Sequence, residues 1–154
     1  MSEQRVIEGT DGLRALAGEQ VGATDWMSET QDKEDRYAEA TGDDQWIHVD
    51  PERAAVETDV GGTIAHGYLT LSLVNHLLPQ VVEVTGISMG INYGLDRLRF
   101  PAPVPVGAKV RGVVAIDEVT EVAGGVQTAY TITFEIDGAD KPACVARFLE
   151  RRFL

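Results

Sequence analysis

Residues 63–78 offer no wide polar face: Ile64, Ala65, Tyr68, Leu69, Leu71, Leu73, Val74, Leu77 and Leu78 leave only scattered positions for water. A helix that is apolar nearly all round has to be buried, and Pro79 should end or kink it soon after. The rest of the chain must therefore supply a cover. Downstream the period changes to two. Val126, Thr128, Tyr130, Ile132, Phe134 and Ile136 alternate with Gln127, Ala129, Thr131, Thr133 and Glu135, which predicts a half-buried strand with one wet face. Gly124-Gly125 supplies a hairpin turn from a strand over 109–119. Asp137-Gly138 leads to a last strand at about 143–153. A further strand over 87–100 runs into Pro101-Ala102-Pro103, whose prolines lack the N–H that a central ladder needs.

The front of the chain reads as helical. Thr10-Asp11, then Leu13, Leu16 and Ala17, predict a short N-capped helix stopped by Gly18. A short strand covers 21–28. Thr30 should cap a second helix through Tyr37 and Ala40 to Gly42, with Asp32, Lys33, Asp35, Arg36 and Glu39 as a solvated face. Residues 43–62 are weakly patterned and predict an ordered excursion with a helical turn near 51–56. An antiparallel sheet needs its apolar face covered, and one apolar helix suits that need. The expected architecture is α+β: a curled antiparallel sheet of about five strands around one buried central helix, the hot-dog arrangement, in one domain over 1–154.

Charge and cysteine usage narrow the partners. The formal net charge of −12 argues against a phosphate-backbone ligand, so no nucleic acid is expected. The excess is uneven: residues 1–95 hold 17 acids against 5 Lys/Arg, whereas residues 96–154 hold 8 of each. An anionic ligand should approach the C-terminal half. Cys144 is alone, which excludes an internal disulfide or a cysteine-based zinc cluster and fits a cytoplasmic setting. The first residues show no secretory pattern, and the apolar stretch over 64–84 is interrupted by His66, Asn75, His76, Pro79 and Glu83, so no membrane span is expected.

Candidate chemistry gathers in the excursion. Asp43 and His48 lie five residues apart, about 140° on a continuous helix, so they would not share a face. If Gly42 breaks the helix, both can turn inward. Together they offer a proton acceptor and a donor near neutral pH, the minimum for adding or removing water across an activated double bond. The residues alone favour the plainer reading, Asp43 as a neighbour of a helix end and His48 as a satisfied core histidine.

The blocks Gly42-Asp43-Asp44-Gln45-Trp46-Ile47-His48-Val49-Asp50-Pro51, Ile64-Ala65-His66-Gly67-Tyr68 and Arg99-Phe100-Pro101-Ala102-Pro103-Val104 with Gly107 resemble the MaoC-like dehydratase family, which contains the (R)-specific enoyl-CoA hydratases. The Gln-Trp-Ile-His form is similar to the NodN-like branch and to a mycobacterial hydratase of this kind. The resemblance spans about residues 15–150 and implies hydration of a trans-2-enoyl-CoA to the (3R)-hydroxyacyl-CoA, a reversible step of fatty acid metabolism. It makes Asp43 and His48 catalytic, with His48 as the base that activates water and Asp43 as the group that orients water and protonates C2, or the reverse. Gln45 and Trp46 depart from the usual Gly-Asp-x-Asn-Pro-x-His pattern, although Gln45 keeps the amide donors and acceptor of the usual Asn. Gly67 is the matching position for a backbone N–H that stabilises the enolate-like oxygen; close packing of helix on sheet would also call for a glycine there.

Asn75 and Asn92 are the implied acyl or substrate contacts, with Tyr93 beside them. His66 reads as a residue that caps or packs at the helix start, His76 as a core or interface histidine, and Trp26 and Trp46 as packing. Coenzyme A is part of the substrate, so no separate cofactor and no metal is implied. Its phosphates need local cations on an acidic protein, for which Arg97, Arg99 and Arg111, with Lys109 and Arg147, are the candidates. Two further functions stay open on the same fold. An acyl-CoA thioesterase would be expected to carry a carboxylate on the buried helix, and residues 63–80 have none. A non-catalytic acyl-thioester-binding protein of the NodN type would keep the fold without turnover. An open sheet edge predicts a homodimer joined edge to edge.

Overall fold

The computed structural model describes residues 3–154. Eight strands and six helices follow in the order β1 Arg5–Glu8, α1 Gly9–Ala15, β2 Glu19–Ala23, β3 Met27–Ser28, α2 Gln31–Thr41, α3 Trp46–Val49, α4 Pro51–Glu57, α5 Gly67–Ser72, α6 Val74–Val81, β4 Val82–Thr85, β5 Met89–Arg99, β6 Lys109–Val122, β7 Gly125–Ile136 and β8 Cys144–Phe153. The main sheet is antiparallel with the order β2-β6-β7-β8-β5, and β3 adds to β6. Helices cover its inner face in the hot-dog arrangement.

The two-residue period decides which side faces in. Val110, Val114 and Ile116 stand opposite Ile136, Ile132 and Tyr130, while Ala146 and Phe148 stand opposite Ile132 and Tyr130. All of these are buried, together with Val74, Leu77, Leu78 and Val81 from α6. Gly112 takes part by having no side chain: a Cβ there would lie 3.0 Å from Ile132 Cδ1 and 3.6 Å from Leu77 Cδ1, so the glycine lets α6 approach the sheet closely.

Several sequence expectations need correction. The apolar stretch forms two consecutive short helices rather than one, with Leu73 as the turn between them. Nor is it buried all round: Tyr68 is 66% exposed, and Asn75 and His76 are exposed as well, because the sheet covers only the side of the stretch that carries Val74, Leu77 and Leu78. Pro79 lies inside α6, which ends two residues later at Val81. The first helix starts at Gly9 after Glu8, with no side-chain cap from Thr10 or Asp11, and stops before Gly18. The expected strand over 21–28 is two, β2 and β3, bent apart between Ala23 and Met27. The main sheet has six strands, and an unforeseen two-stranded parallel sheet joins β1 to β4. Its strands are only four residues long, too short for periodicity to register. Strand β6 runs three residues beyond the expected end. Among the described residues no helix is long and apolar enough to cross a membrane.

Candidate active site

Gly42 ends α2. Thr30 caps the helix by accepting from the Lys33 N–H, and Gly42 closes it in the left-handed conformation, φ +80°, with its N–H on the Ala38 carbonyl at 2.8 Å. The chain then turns sharply. Thr41 Oγ1 accepts the Asp43 N–H at 3.3 Å while donating to the Tyr37 carbonyl at 2.7 Å. Three residues later α3 starts and carries His48 inward, where it is 8% exposed. The Asp43 side chain remains half exposed.

His48 is held from two sides. Its Nδ1 lies 2.7 Å from the Ile64 carbonyl, and a carbonyl only accepts, so Nδ1 carries the hydrogen and Nε2 presents its lone pair. Gln31, on α2, donates to the His48 main-chain carbonyl at 2.7 Å and accepts from Thr63 Oγ1 at 2.6 Å. The stretch after α4 thus locks onto α2. Ala65 and Val106 donate to the carbonyls of Val104 and Thr63 at 2.8 and 2.9 Å, which brings the residues after Pro103 alongside.

These segments enclose a cavity of about 330 Å³ lined by His48, Ile64, Gly67, Thr70, Phe100 and Val104, among others. Gly67 opens α5, so its N–H has no intrahelical acceptor. A Cβ on Gly67 would lie 3.1 Å from two atoms of the Phe100 ring, which leaves the backbone as what the residue shows to the cavity. Asp43, His48 and His66 each bring one polar atom within 4.8 Å of the other two. The spacing would suit an ion, but the donors are spent: His66 uses Nδ1 on Glu34 and Nε2 on the Asp43 carbonyl, and His48 uses Nδ1 on Ile64. Two free ligands fall short of the three or four of a zinc site. Burial, and next to it the Asp43 carboxylate, push the Tyr37 phenol above its ordinary pKa.

His48 and Gly67 therefore line one cavity, and the Asp43 carboxylate lies within 4.8 Å of a His48 ring nitrogen. Gln45 is exposed before α3, and its side chain makes no hydrogen bond. Asn75 and Asn92 belong to a separate groove of about 360 Å³ with Tyr68, Tyr93 and Leu95; the Tyr68–Phe100 ring pair, 5.9 Å between centroids, stands between groove and cavity. Arg97 and Arg99 share a pocket of about 480 Å³ with Thr131, Val145 and Arg147. Arg147 is already bound to Asp96, Asp117 and Glu118. Arg97 has no carboxylate partner among the described residues, and Arg99 donates to the Leu98 carbonyl at 2.6 Å. Arg111 lies apart from both, paired with Glu135 at 2.7 Å and resting on the Trp26 ring. Trp46 carries the Arg53 guanidinium over its ring.

Sequence reasoning left out Glu34, which is fully buried, accepts the His66 main-chain N–H and shares a hydrogen bond with its Nδ1. The available signal was its spacing: Glu34 and Ala38 are one turn apart on the face of α2 opposite the charged run.

Comparison with known proteins agrees with the fold. Residues 13–135 match the family model described as a MaoC like domain. The chain is 49% identical over 148 residues to 3-hydroxyacyl-thioester dehydratase Z of Mycobacterium tuberculosis, covering 96% of this chain and 97% of the relative. It is 44% identical over 137 residues to nodulation protein N of Rhizobium leguminosarum bv. viciae, covering 86% and 83%. Among solved structures, the (R)-hydratase from A. caviae involved in PHA biosynthesis superposes with a TM-score of 0.70 at 25% identity, covering 86% of this chain and 95% of that one.

Proposed function

The chain belongs to the MaoC-like domain family, and on that premise we propose that it is a hydro-lyase that adds water across the double bond of a trans-2-enoyl-CoA to give the (3R)-hydroxyacyl-CoA, and catalyses the reverse dehydration. The observation that carries the reading is the commitment of His48 Nδ1 to the Ile64 carbonyl, which leaves Nε2 free to act as a base on a ring that neighbours the Asp43 carboxylate and lines the same cavity as Gly67.

The thioester carbonyl draws electron density from C3. A water oxygen attacks C3 while His48 Nε2 takes one of its protons, and negative charge builds on the thioester oxygen. The Gly67 N–H is the donor for that charge, preorganised because the helix start fixes its direction. The proton passes from His48 to the Asp43 carboxylate and from there to C2, so the sum is one water added. Both groups act from one side of the enoyl plane, which makes the addition syn. Coenzyme A enters as part of the substrate, and Arg97 and Arg99 are the cations proposed for its phosphates. The protein is proposed to work in the cytoplasm as a homodimer joined along β5, which among the described residues pairs on one side only, with β8.

The test is the loss of enoyl absorbance when a short or medium trans-2-enoyl-CoA is mixed with the purified protein, coupled to an (S)-specific 3-hydroxyacyl-CoA dehydrogenase. Loss of absorbance without NADH is the expected result. Rapid NADH formation would refute the (3R) product, and no loss of absorbance would favour a protein that binds acyl thioesters without converting them.

A further inference from the structure

We propose that Glu34 and His66 form a buried positioning pair that fixes Asp43 and His48, so that turnover depends on a carboxylate which touches no substrate. The proposal rests on the hydratase reading above and adds to it two residues outside the reacting set.

Glu34 is 0% exposed and His66 2%. One carboxylate oxygen, Glu34 Oε2, accepts the His66 main-chain N–H at 2.8 Å and lies 2.6 Å from His66 Nδ1. The other ring nitrogen, Nε2, lies 2.8 Å from the Asp43 main-chain carbonyl. That oxygen can only accept, so Nε2 carries a hydrogen. With Nε2 protonated, the bond between Nδ1 and Glu34 needs one further proton, held by either partner. The pair therefore binds one proton more than a bare carboxylate and a neutral imidazole, and it is neutral as a unit, the condition under which burial of two ionisable groups is tolerable.

This ring touches both groups assigned to the chemistry. Its face stacks on His48 with centroids 3.9 Å apart at 25°. Its edge holds the Asp43 main chain, with the Asp43 carboxylate 4.0 Å from Nε2. Asp43 is thereby fixed at its carbonyl by His66 and at its N–H by Thr41. His66 does not line the cavity that Gly67 and His48 share, so it acts through its neighbours. An apolar pair of similar size would fill the same space at no loss of stability, whereas only a carboxylate and an imidazole keep all three hydrogen bonds together.

The experiment is Glu34→Gln. At the single oxygen position that both donors reach, an amide oxygen can serve the N–H and Nδ1–H but supplies no extra proton, so the bond to the Asp43 carbonyl is lost. Displacements on the ångström scale at reacting groups cost up to about 100-fold in rate, and kcat should fall about 10-fold or more with KM changed less than about twofold and the melting temperature retained. In ¹⁵N spectra at pH 7, His66 Nε2 should be protonated in the parent and lose that signature in the variant. Parental kcat in a folded Glu34→Gln protein, or an unprotonated Nε2 in the parent, would overturn the proposal. Should Glu34→Gln not fold, the double variant Glu34→Met with His66→Phe keeps the packing and the stack; it should lose kcat to the same extent, and parental kcat there would also overturn the proposal. A parent protein inactive on every enoyl thioester refutes the hydratase reading instead, and the ¹⁵N measurement still decides the pairing.

Discussion

Replacing Gly67 by alanine separates packing from chemistry at the position assigned to the oxyanion. Gly67 is not among the glycines with positive φ, so an L side chain is not strained there. Alanine gains helix propensity, about 0.5–1 kcal/mol. Against this, the new methyl would stand 3.1 Å from Cε1 and Cζ of Phe100 and 3.3 Å from Cδ1, and moving that ring off its rotamer costs about 0.5–1.5 kcal/mol. Phe100 is 41% exposed and has room to yield. The two effects nearly cancel, leaving stability within about 1 kcal/mol of the parent, or about 2–4 °C in melting temperature for a chain of this size. Activity should respond very differently. The methyl is added at the wall of the cavity that Gly67 and Phe100 both line, where the proposed reaction has the thioester meet the Gly67 N–H, and loss of one oxyanion donor costs about 10²–10³ in rate. Enoyl-CoA hydration followed by absorbance should therefore fall at least about 100-fold while circular dichroism and melting stay near parental. Hydration within about threefold of the parent would refute the assignment and leave Gly67 a packing residue.

Three other outcomes are expected. Asp43→Asn and His48→Gln should each lower turnover about 100-fold or more, the scale of a positioned acid or base, with an unchanged circular dichroism spectrum; near-parental rates would make that residue structural. Glu29→Met should stabilise the protein, more at pH 8 than at pH 5. Burial, opposed by Lys33, raises the Glu29 carboxyl above its ordinary 4.5, and neither oxygen has a hydrogen-bond partner. The folded state therefore holds the proton more tightly than the unfolded one, and the parent loses stability as pH climbs from the unfolded value through the folded one. Thermal melts with an equal or smaller gain at pH 8 would contradict this. Light scattering at micromolar concentration should return twice the mass of one chain, and a monomer mass would remove the edge-to-edge dimer.

How much of this was legible in the sequence depended on the range of the information. The strands β6, β7 and β8 are long enough for alternation to fix their faces, and Thr30 and Gly42 mark both ends of α2 by local chemistry alone. The two-residue β3 and the β1–β4 pair fall below the length at which a period can be read. At the site, the ordered blocks around Asp43, His48 and Gly67 point to one another because each carries its own residue pattern. The Ile64 carbonyl that sets the His48 tautomer has no side-chain signature, and Glu34 meets its partner 32 residues away. Contacts of that kind depend on how α2 docks, which no local period encodes.

The departures from the expected burial are themselves ordered. Tyr68 at 66% exposure, Tyr93 at 53% and Leu95 at 44% surround one groove with Asn75 and Asn92, while Met89 and Ile91 extend the exposed apolar run along β5. Among the described residues strand β5 keeps one edge unpaired, and a long apolar edge is a template for another strand. A second copy on that edge would bury these side chains and satisfy the ladder at once, so a single further step accounts for the incomplete cover of α5 and for the exposed β5. It would also place the partner beside the groove behind the Tyr68–Phe100 pair, close to the cavity of His48 and Gly67. Exposure that contradicts a sequence pattern at scattered sites would weaken the fold reading; concentrated along one strand edge and one groove, it supports the dimer.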